Sequence, residues 1–191
     1  PRLRFGELII QSQSAVREKR IREIIGWESG EVFDPDHLDD VRTRMRRTGT
    51  FAAVTLTEAE EPNPDGTLDV TATISDQLPR RYSFGAEYST LDGVSVSALW
   101  LHRNIFGGAE RLQIDGEISG AGGQTGGEDY RLTALLARPA TFRTALEAFA
   151  LAEIEQVDDP NLFSRTGRLE VGGTYFASEK RQYTYGAGFR R

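Results

Sequence analysis

Arg81-Tyr82-Ser83-Phe84-Gly85-Ala86-Glu87-Tyr88-Ser89-Thr90 decides the fold class of the second half of the chain. Tyr82, Phe84, Ala86 and Tyr88 alternate with Ser83, Gly85, Glu87 and Ser89. A strand sends successive side chains to opposite faces, so this period of two makes one apolar and one polar face. The same period returns further on. Leu112, Ile114, Gly116 and Ile118 alternate with Gln113, Asp115, Glu117 and Ser119. Leu146, Ala148, Ala150, Ala152 and Ile154 alternate with Glu147, Phe149, Leu151, Glu153 and Glu155. Tyr183, Tyr185, Ala187 and Phe189 alternate with Gln182, Thr184, Gly186 and Gly188. The pattern predicts strands near 81–90, 94–105, 110–120, 129–138, 143–156, 166–177 and 182–190. In two of these, 94–105 and 129–138, the alternation is poor, and the adjacent Leu99, Trp100 and Leu101 leave the facing open.

Several of these runs approach the roughly 9 to 11 residues that a tilted strand needs to cross a bilayer, against about 5 to 6 in ordinary sheets. The connections also sort into two sets. Leu91–Gly93, Gly120–Gly127 and Val157–Arg165 would lie at one end, and tight links at Phe106–Ala109, Pro139–Phe142 and Ser178–Arg181 at the other. Outer-membrane barrels pair long external loops with short periplasmic turns. The expectation is an antiparallel, membrane-facing sheet entered from the periplasm, with Glu147, Glu153 and Glu155 lining a polar interior.

Upstream, the period changes near Leu78–Arg81. Phe5–Gln11 reads as a strand. Ser14 is placed to cap a helix over 15–25, with Val16, Ile21, Ile24 and Ile25 on one face and Gly26 at its end. Asp34-Pro35 opens a second helix by a capping residue and a first-turn proline. Its buried stripe is Leu38, Val41 and Met45, and Gly49 ends it. Strands at 53–58 and 68–75 follow, separated by a Pro62–Gly66 turn. The order is β-α-α-β-β.

Composition bounds the rest. The 191 residues are 38% hydrophobic and carry a net charge of −6. Nucleic-acid binding, which shows as a basic excess, has no support. The absence of cysteine excludes disulfides and thiolate metal sites. No apolar run is long enough for a transmembrane helix, which leaves barrels untouched. His37 and His102 are remote from one another, and no nucleophile elbow or phosphate loop is present. Asp158-Asp159-Pro160-Asn161 has calcium-type oxygens, but turn residues in a loop read the same way. Arg42, Arg44, Arg46 and Arg47 read as the wet face of the second helix, with a protein or lipid head-group contact as the sharper alternative. No catalytic residue, cofactor or metal is expected.

Four stretches carry a resemblance: Gly30-Glu31-Val32-Phe33-Asp34-Pro35; Gly49-Thr50-Phe51-Ala52-Ala53-Val54, which fits a Gly-x-Phe-x-x-Val pattern; Pro79 through Thr90; and Trp100 through Leu112. Together they resemble the outer-membrane assembly-factor family, also called bacterial surface antigens. The TamA-type branch, related to the BamA type, is the nearest. The resemblance implies an α+β POTRA domain over residues 1–78, the last before the barrel. It implies an all-β antiparallel partial transmembrane barrel over 79–191, about seven strands of a larger one. Gly30, Phe33, Gly49, Phe51 and Val54 would be the POTRA motif. The chain ends at Arg190-Arg191 and not at an aromatic, so a fragment is expected.

The implied function is assembly or translocation at the bacterial outer membrane, with the POTRA domain in the periplasm. Client outer-membrane proteins or autotransporters would add strands to a sheet edge, since an edge offers unpaired backbone donors and acceptors. Arg81, Tyr82, Ser83, Phe84, Gly85, Ala86, Glu87 and Tyr88 would form the pairing strand at the barrel seam. The further partners implied are an inner-membrane-anchored, TamB-like subunit and outer-membrane lipid. Open edges also imply self-association. The alternatives are a two-partner secretion pore, a membrane anchor for an enzyme domain, and a soluble β-rich binding protein.

Overall fold

A computed structural model describes residues 3–124 and 126–191. Pro1, Arg2 and Thr125, the last inside the glycine loop, lie outside the described residues. The elements run β1 (Arg4–Ser12), α1 (Glu18–Ile25), α2 (Pro35–Arg47), β2 (Phe51–Glu58) and β3 (Thr67–Asp76), then seven strands. These are β4 (Arg80–Ser89), β5 (Gly93–His102), β6 (Arg111–Ala121), β7 (Asp129–Arg138), β8 (Leu146–Asp159), β9 (Leu162–Ser178) and β10 (Arg181–Arg190). The chain thus joins a small α+β unit to an antiparallel sheet.

In the first unit β3 is central, parallel to β1 and antiparallel to β2. Two helices cover one face of that sheet. Ile21, Ile24 and Ile25 of α1 and Leu38, Val41 and Met45 of α2 are buried against Phe5, Phe51 and Val70. Burying each such side chain stabilises the fold by about 1.5–3 kcal/mol. Gly26 closes α1 in the left-handed region at φ 62°, where a side chain is disfavoured. Asp34 caps α2, its carboxylate accepting from the Asp36 N–H at 3.0 Å, and Pro35 takes the first turn.

Ser14 does not cap α1. That helix begins at Glu18 after Arg17, which makes no side-chain cap. The Ser14 hydroxyl instead donates to Asp76 at 2.5 Å and accepts from the Val16 N–H at 3.0 Å, tying the chain to the end of β3.

The seven later strands form one antiparallel sheet in the order β10-β9-β8-β7-β6-β5-β4. Among the described residues β4 pairs only with β5, and β10 only with β9, so both are edges. The register settles the facing of β5 and β7. Val96, Ala98 and Trp100 lie opposite Ile118, Gly116 and Ile114, and Leu132 and Leu136 opposite Gly116 and Leu112. All share the apolar face with Tyr82, Phe84, Ile154, Leu169 and Phe189, by register through the ladder. Alternation failed in β5 because Leu101, on the polar face, is itself buried at its end.

Two expectations about the connections are overturned. Val157–Arg165 is no loop: Val157, Asp158 and Asp159 pair with Ser164, Phe163 and Leu162, leaving a two-residue turn at Pro160-Asn161. Polar residues can stay in a ladder, since the ladder is held by backbone bonds. The links next to the first unit are also not all tight. Residues 103–110 and 139–145 are the longer connections there, and 179–180 is short.

Candidate functional site

The longer links are built to receive the helical unit. In 103–110, Gly107 sits at φ 80° and Ala109 at φ 63°. The Ala109 N–H donates to Asn104 Oδ1 at 2.9 Å, and the Gly108 N–H to Glu110 Oε2 at 2.7 Å. That geometry turns the Gly107 and Gly108 carbonyls toward α1. The Arg17 N–H donates to the Gly107 carbonyl at 3.0 Å, and Arg17 Nε does so at 3.2 Å.

Arg20 reaches deeper. It is 5% exposed and donates to the carbonyls of Pro139 at 2.7 Å, Gly108 at 3.4 Å and Ala140 at 3.5 Å. It therefore clasps both links at once. Its remaining partner is Glu23. The Arg20 hydrogen bond, ahead of a smaller opposing effect of burial, holds the Glu23 carboxyl below its ordinary pKa.

Further contacts add to the dock, among them the Thr43 hydroxyl donating to Glu179 at 3.2 Å. The Thr50 hydroxyl donates to the Arg103 carbonyl at 2.8 Å. Arg111 Nη1 donates to the Thr48 carbonyl at 3.1 Å, and Arg103 Nη1 to the Gly49 carbonyl at 3.3 Å. Arg47 stacks on Phe176 with its guanidinium carbon 3.6 Å from the ring centre. Arg44 Nη1 donates to the Ile25 carbonyl at 2.5 Å. Burial is the main cause lowering the pKa of Arg44 and Arg47 from the ordinary arginine value. The arginines of α2 are therefore not simply a wet face; Arg42, Arg44 and Arg47 are half-buried and Arg46 is exposed.

Of the residues expected at the POTRA motif, Phe51 is 1% exposed and Val54 packs against the core from a half-buried position. Phe33 lies 5.0 Å from Phe5, ring centre to ring centre. Gly49 holds φ 68° and Gly30 φ 90°, conformations that favour glycine. The expected pairing strand, Arg81 through Tyr88, falls within β4, whose outer edge pairs with no strand among the described residues. Gly85 lies opposite Ser97. A Cβ there would sit 2.6 Å from Ser97 Oγ, so the glycine makes room for that hydroxyl.

On the polar face Arg131 bridges Glu155 at 2.7 Å and Glu117 at 3.7 Å. Arg111 meets Glu147 at 3.6 Å. Glu153 accepts weakly from Thr133 at 3.4 Å. The three glutamates expected on a polar interior thus share that face.

His37 packs on Phe5 at 5.4 Å, and His102 Nδ1 accepts from the Asn104 N–H at 3.2 Å. Among the described residues no three His, Asp or Glu gather to hold a metal, so Asp158 and Asp159 form no such cluster. Among the described residues no helix is long and apolar enough to cross a membrane, which says nothing of strands.

Sequence reasoning singled out the 100–112 stretch but assigned it no role. Arg17 and Arg20 were missed. The signal was present in part, since Arg20 shares its face of α1 with Ile24, but an arginine among apolar residues reads as a solvated stem.

Residues 3–77 match the family model "Surface antigen variable number repeat", the POTRA domain. No curated protein matches the chain in sequence. Among solved structures, BamA from Haemophilus ducreyi lacking POTRA domains 1–3 aligns over 96% of this chain with TM-score 0.64 and 16% identity. CdiB from Escherichia coli aligns over 97% with TM-score 0.63 and 15% identity. CdiB from Acinetobacter baumannii aligns over 98% with TM-score 0.50 and 11% identity. The chain spans 35% and 36% of the lengths of the first two. Residues 3–77 are a POTRA domain, and with the seven strands that follow, the chain has the fold shared by those BamA and CdiB structures.

Proposed function

We propose that the chain is the membrane-entering part of an outer-membrane assembly or translocation factor. It binds other chains and does not catalyse a reaction. The observation that carries this reading is the division of the sheet into faces. Tyr82 (59%) and Phe84 (82%) of β4, Leu169 (63%) of β9 and Phe189 (65%) of β10 are exposed on one face, while arginines and carboxylates pair on the other. An exposed apolar surface of that extent is stable only against lipid or protein. The POTRA unit docked at one end of the strands then lies in the periplasm.

In this reading client outer-membrane proteins or autotransporters add strands to an edge, β4 being the candidate, through backbone bonds indifferent to client sequence. A TamA-type role with an inner-membrane-anchored, TamB-like partner is the finer form of the proposal. A two-partner secretion pore is the second reading, favoured by a likeness to CdiB as good as that to BamA.

The test is the behaviour of the chain with and without detergent or lipid, followed by circular dichroism and size exclusion. A β-rich species that needs detergent or lipid supports the reading. A soluble, monodisperse monomer without either overturns it in favour of a soluble β-rich binding protein.

A further inference from the structure

The POTRA-side rim of the sheet carries features that folding and docking leave unexplained. Phe142, in the 139–145 link, is 97% exposed and sits at φ 63°. A bulky residue in that region is strained, and such strain points to a role. Three of the link's other residues serve the dock: Arg20 takes the Pro139 and Ala140 carbonyls, and Thr144 lies against Gly26. Among the described residues nothing covers the ring. Phe106, 64% exposed, projects from the neighbouring link. The two links are held side by side by Arg20 and by Arg138 meeting Glu110 at 3.7 Å.

The apolar face changes character at this same rim. On β4 and β5 the Tyr82–Trp100 pair is followed by Arg80 opposite His102. Aromatic residues and then cations mark where hydrocarbon gives way to head groups. Arg80 and Arg143 are exposed, and neither forms an ion pair among the described residues.

We propose that this rim is a binding surface for anionic phospholipid in the leaflet facing the POTRA domain. Phe142 and Phe106 seat at the boundary between acyl chain and head group, and Arg80 and Arg143 hold the phosphates. The proposal rests on the membrane-facing reading above, whose apolar face it continues. A partner protein is the other conceivable occupant. Continuity with that face and two unpaired guanidiniums favour lipid.

The cysteine-free chain permits single-site labelling. Phe142→Cys and, as a reference on the apolar face, Leu132→Cys are each labelled with an environment-sensitive fluorophore. Each full chain is reconstituted in phosphatidylcholine vesicles containing phosphatidylglycerol. Quenching by nitroxide lipid is compared with quenching by aqueous iodide. The expected result is nitroxide quenching and iodide protection at both positions. Quenching at 132 but iodide access at 142 overturns this proposal alone. Shielding of 142 from both quenchers indicates a protein contact and also overturns it. Failure of nitroxide quenching at 132 removes the membrane-facing reading itself.

Head-group selectivity is tested by nitroxide phosphatidylglycerol against nitroxide phosphatidylcholine. Arg80→Gln with Arg143→Gln should reduce the preference for phosphatidylglycerol by at least about fivefold, one arginine's worth of surface attraction. An unchanged preference overturns the role of the arginines.

Discussion

Replacing Arg20 by Met tests whether the POTRA unit is held rigidly on the strands. Methionine keeps an apolar stem beside Ile21 and Ile24, so the packing of α1 survives. What is lost is the guanidinium. Of its three interfacial bonds only that to the Pro139 carbonyl, at 2.7 Å, has good length; those at 3.4 and 3.5 Å contribute little. A bond from a charged donor contributes about 1.5–3 kcal/mol. A loss of about 2 kcal/mol shifts the docking equilibrium about 30-fold. The readout is hydrogen exchange at the Arg17 amide, which donates across the interface to Gly107 at 3.0 Å. Its exchange follows the opening of the dock and should accelerate by about that factor, with amides inside β3 unaffected. Arg17 exchange at the wild-type rate in Arg20→Met would refute the reasoning. It would show that the other contacts across the interface hold it without Arg20.

Other consequences are equally open to measurement. Phe51→Ala empties a 1% exposed core position and should destabilise the POTRA unit by about 3–5 kcal/mol, read from denaturant unfolding followed by Trp27. Leu132→Arg puts a charge on the apolar face and should cost about 2–4 kcal/mol in lipid if that face meets the membrane midplane; unchanged stability in vesicles argues against lipid contact. A Cβ at Gly85 would sit 2.6 Å from the Ser97 hydroxyl, so under the proposed function Gly85→Val should lower client insertion by a full-length parent in a complementation assay while its barrel stays folded. Adding Ser97→Gly should restore it, and normal client levels in the single variant would remove the role of Gly85. The Glu23 carboxyl, held below its ordinary pKa by Arg20, should return to that value in Arg20→Met by NMR titration. Because the folded pKa is lowered, the small contribution of the pair is complete above the ordinary carboxylate range and is lost as pH falls through the lowered value.

Features that depend on local pattern were legible in the sequence. The Leu38–Val41–Met45 stripe, the Asp34-Pro35 cap and the glycine at the end of α1 follow from helical geometry and are present as expected. The apolar–polar alternation of β4, β6, β8 and β10 likewise follows from the pleat. What was not legible depends on contacts between distant segments. Ser14 serves Asp76, 62 positions away, so its capping chemistry went elsewhere. Arg20 bonds to Pro139, 119 positions away, and no local period reports that. Leu101 is apolar on the polar face because its end of the strand is buried. The Val157–Arg165 stretch looked like a loop because polarity was taken for irregularity.

The connection between β3 and β4 is only residues 77–79, a leash that spans at most about 10 Å. It is pinned midway, because Arg103 donates from its backbone to the Pro79 carbonyl at 2.8 Å and from its side chain to the Leu78 carbonyl at 3.2 Å. A swing of the POTRA unit that opens the dock therefore loads Arg103 and the near end of β4. A pull along the strand axis loads the whole β4–β5 ladder in shear, with every bond sharing the force. A sideways pull loads only the Arg80–His102 end and unzips the ladder one pair at a time. The same edge is thus stiff to tension and weak to peeling, and the direction in which the POTRA unit moves decides which of the two it meets.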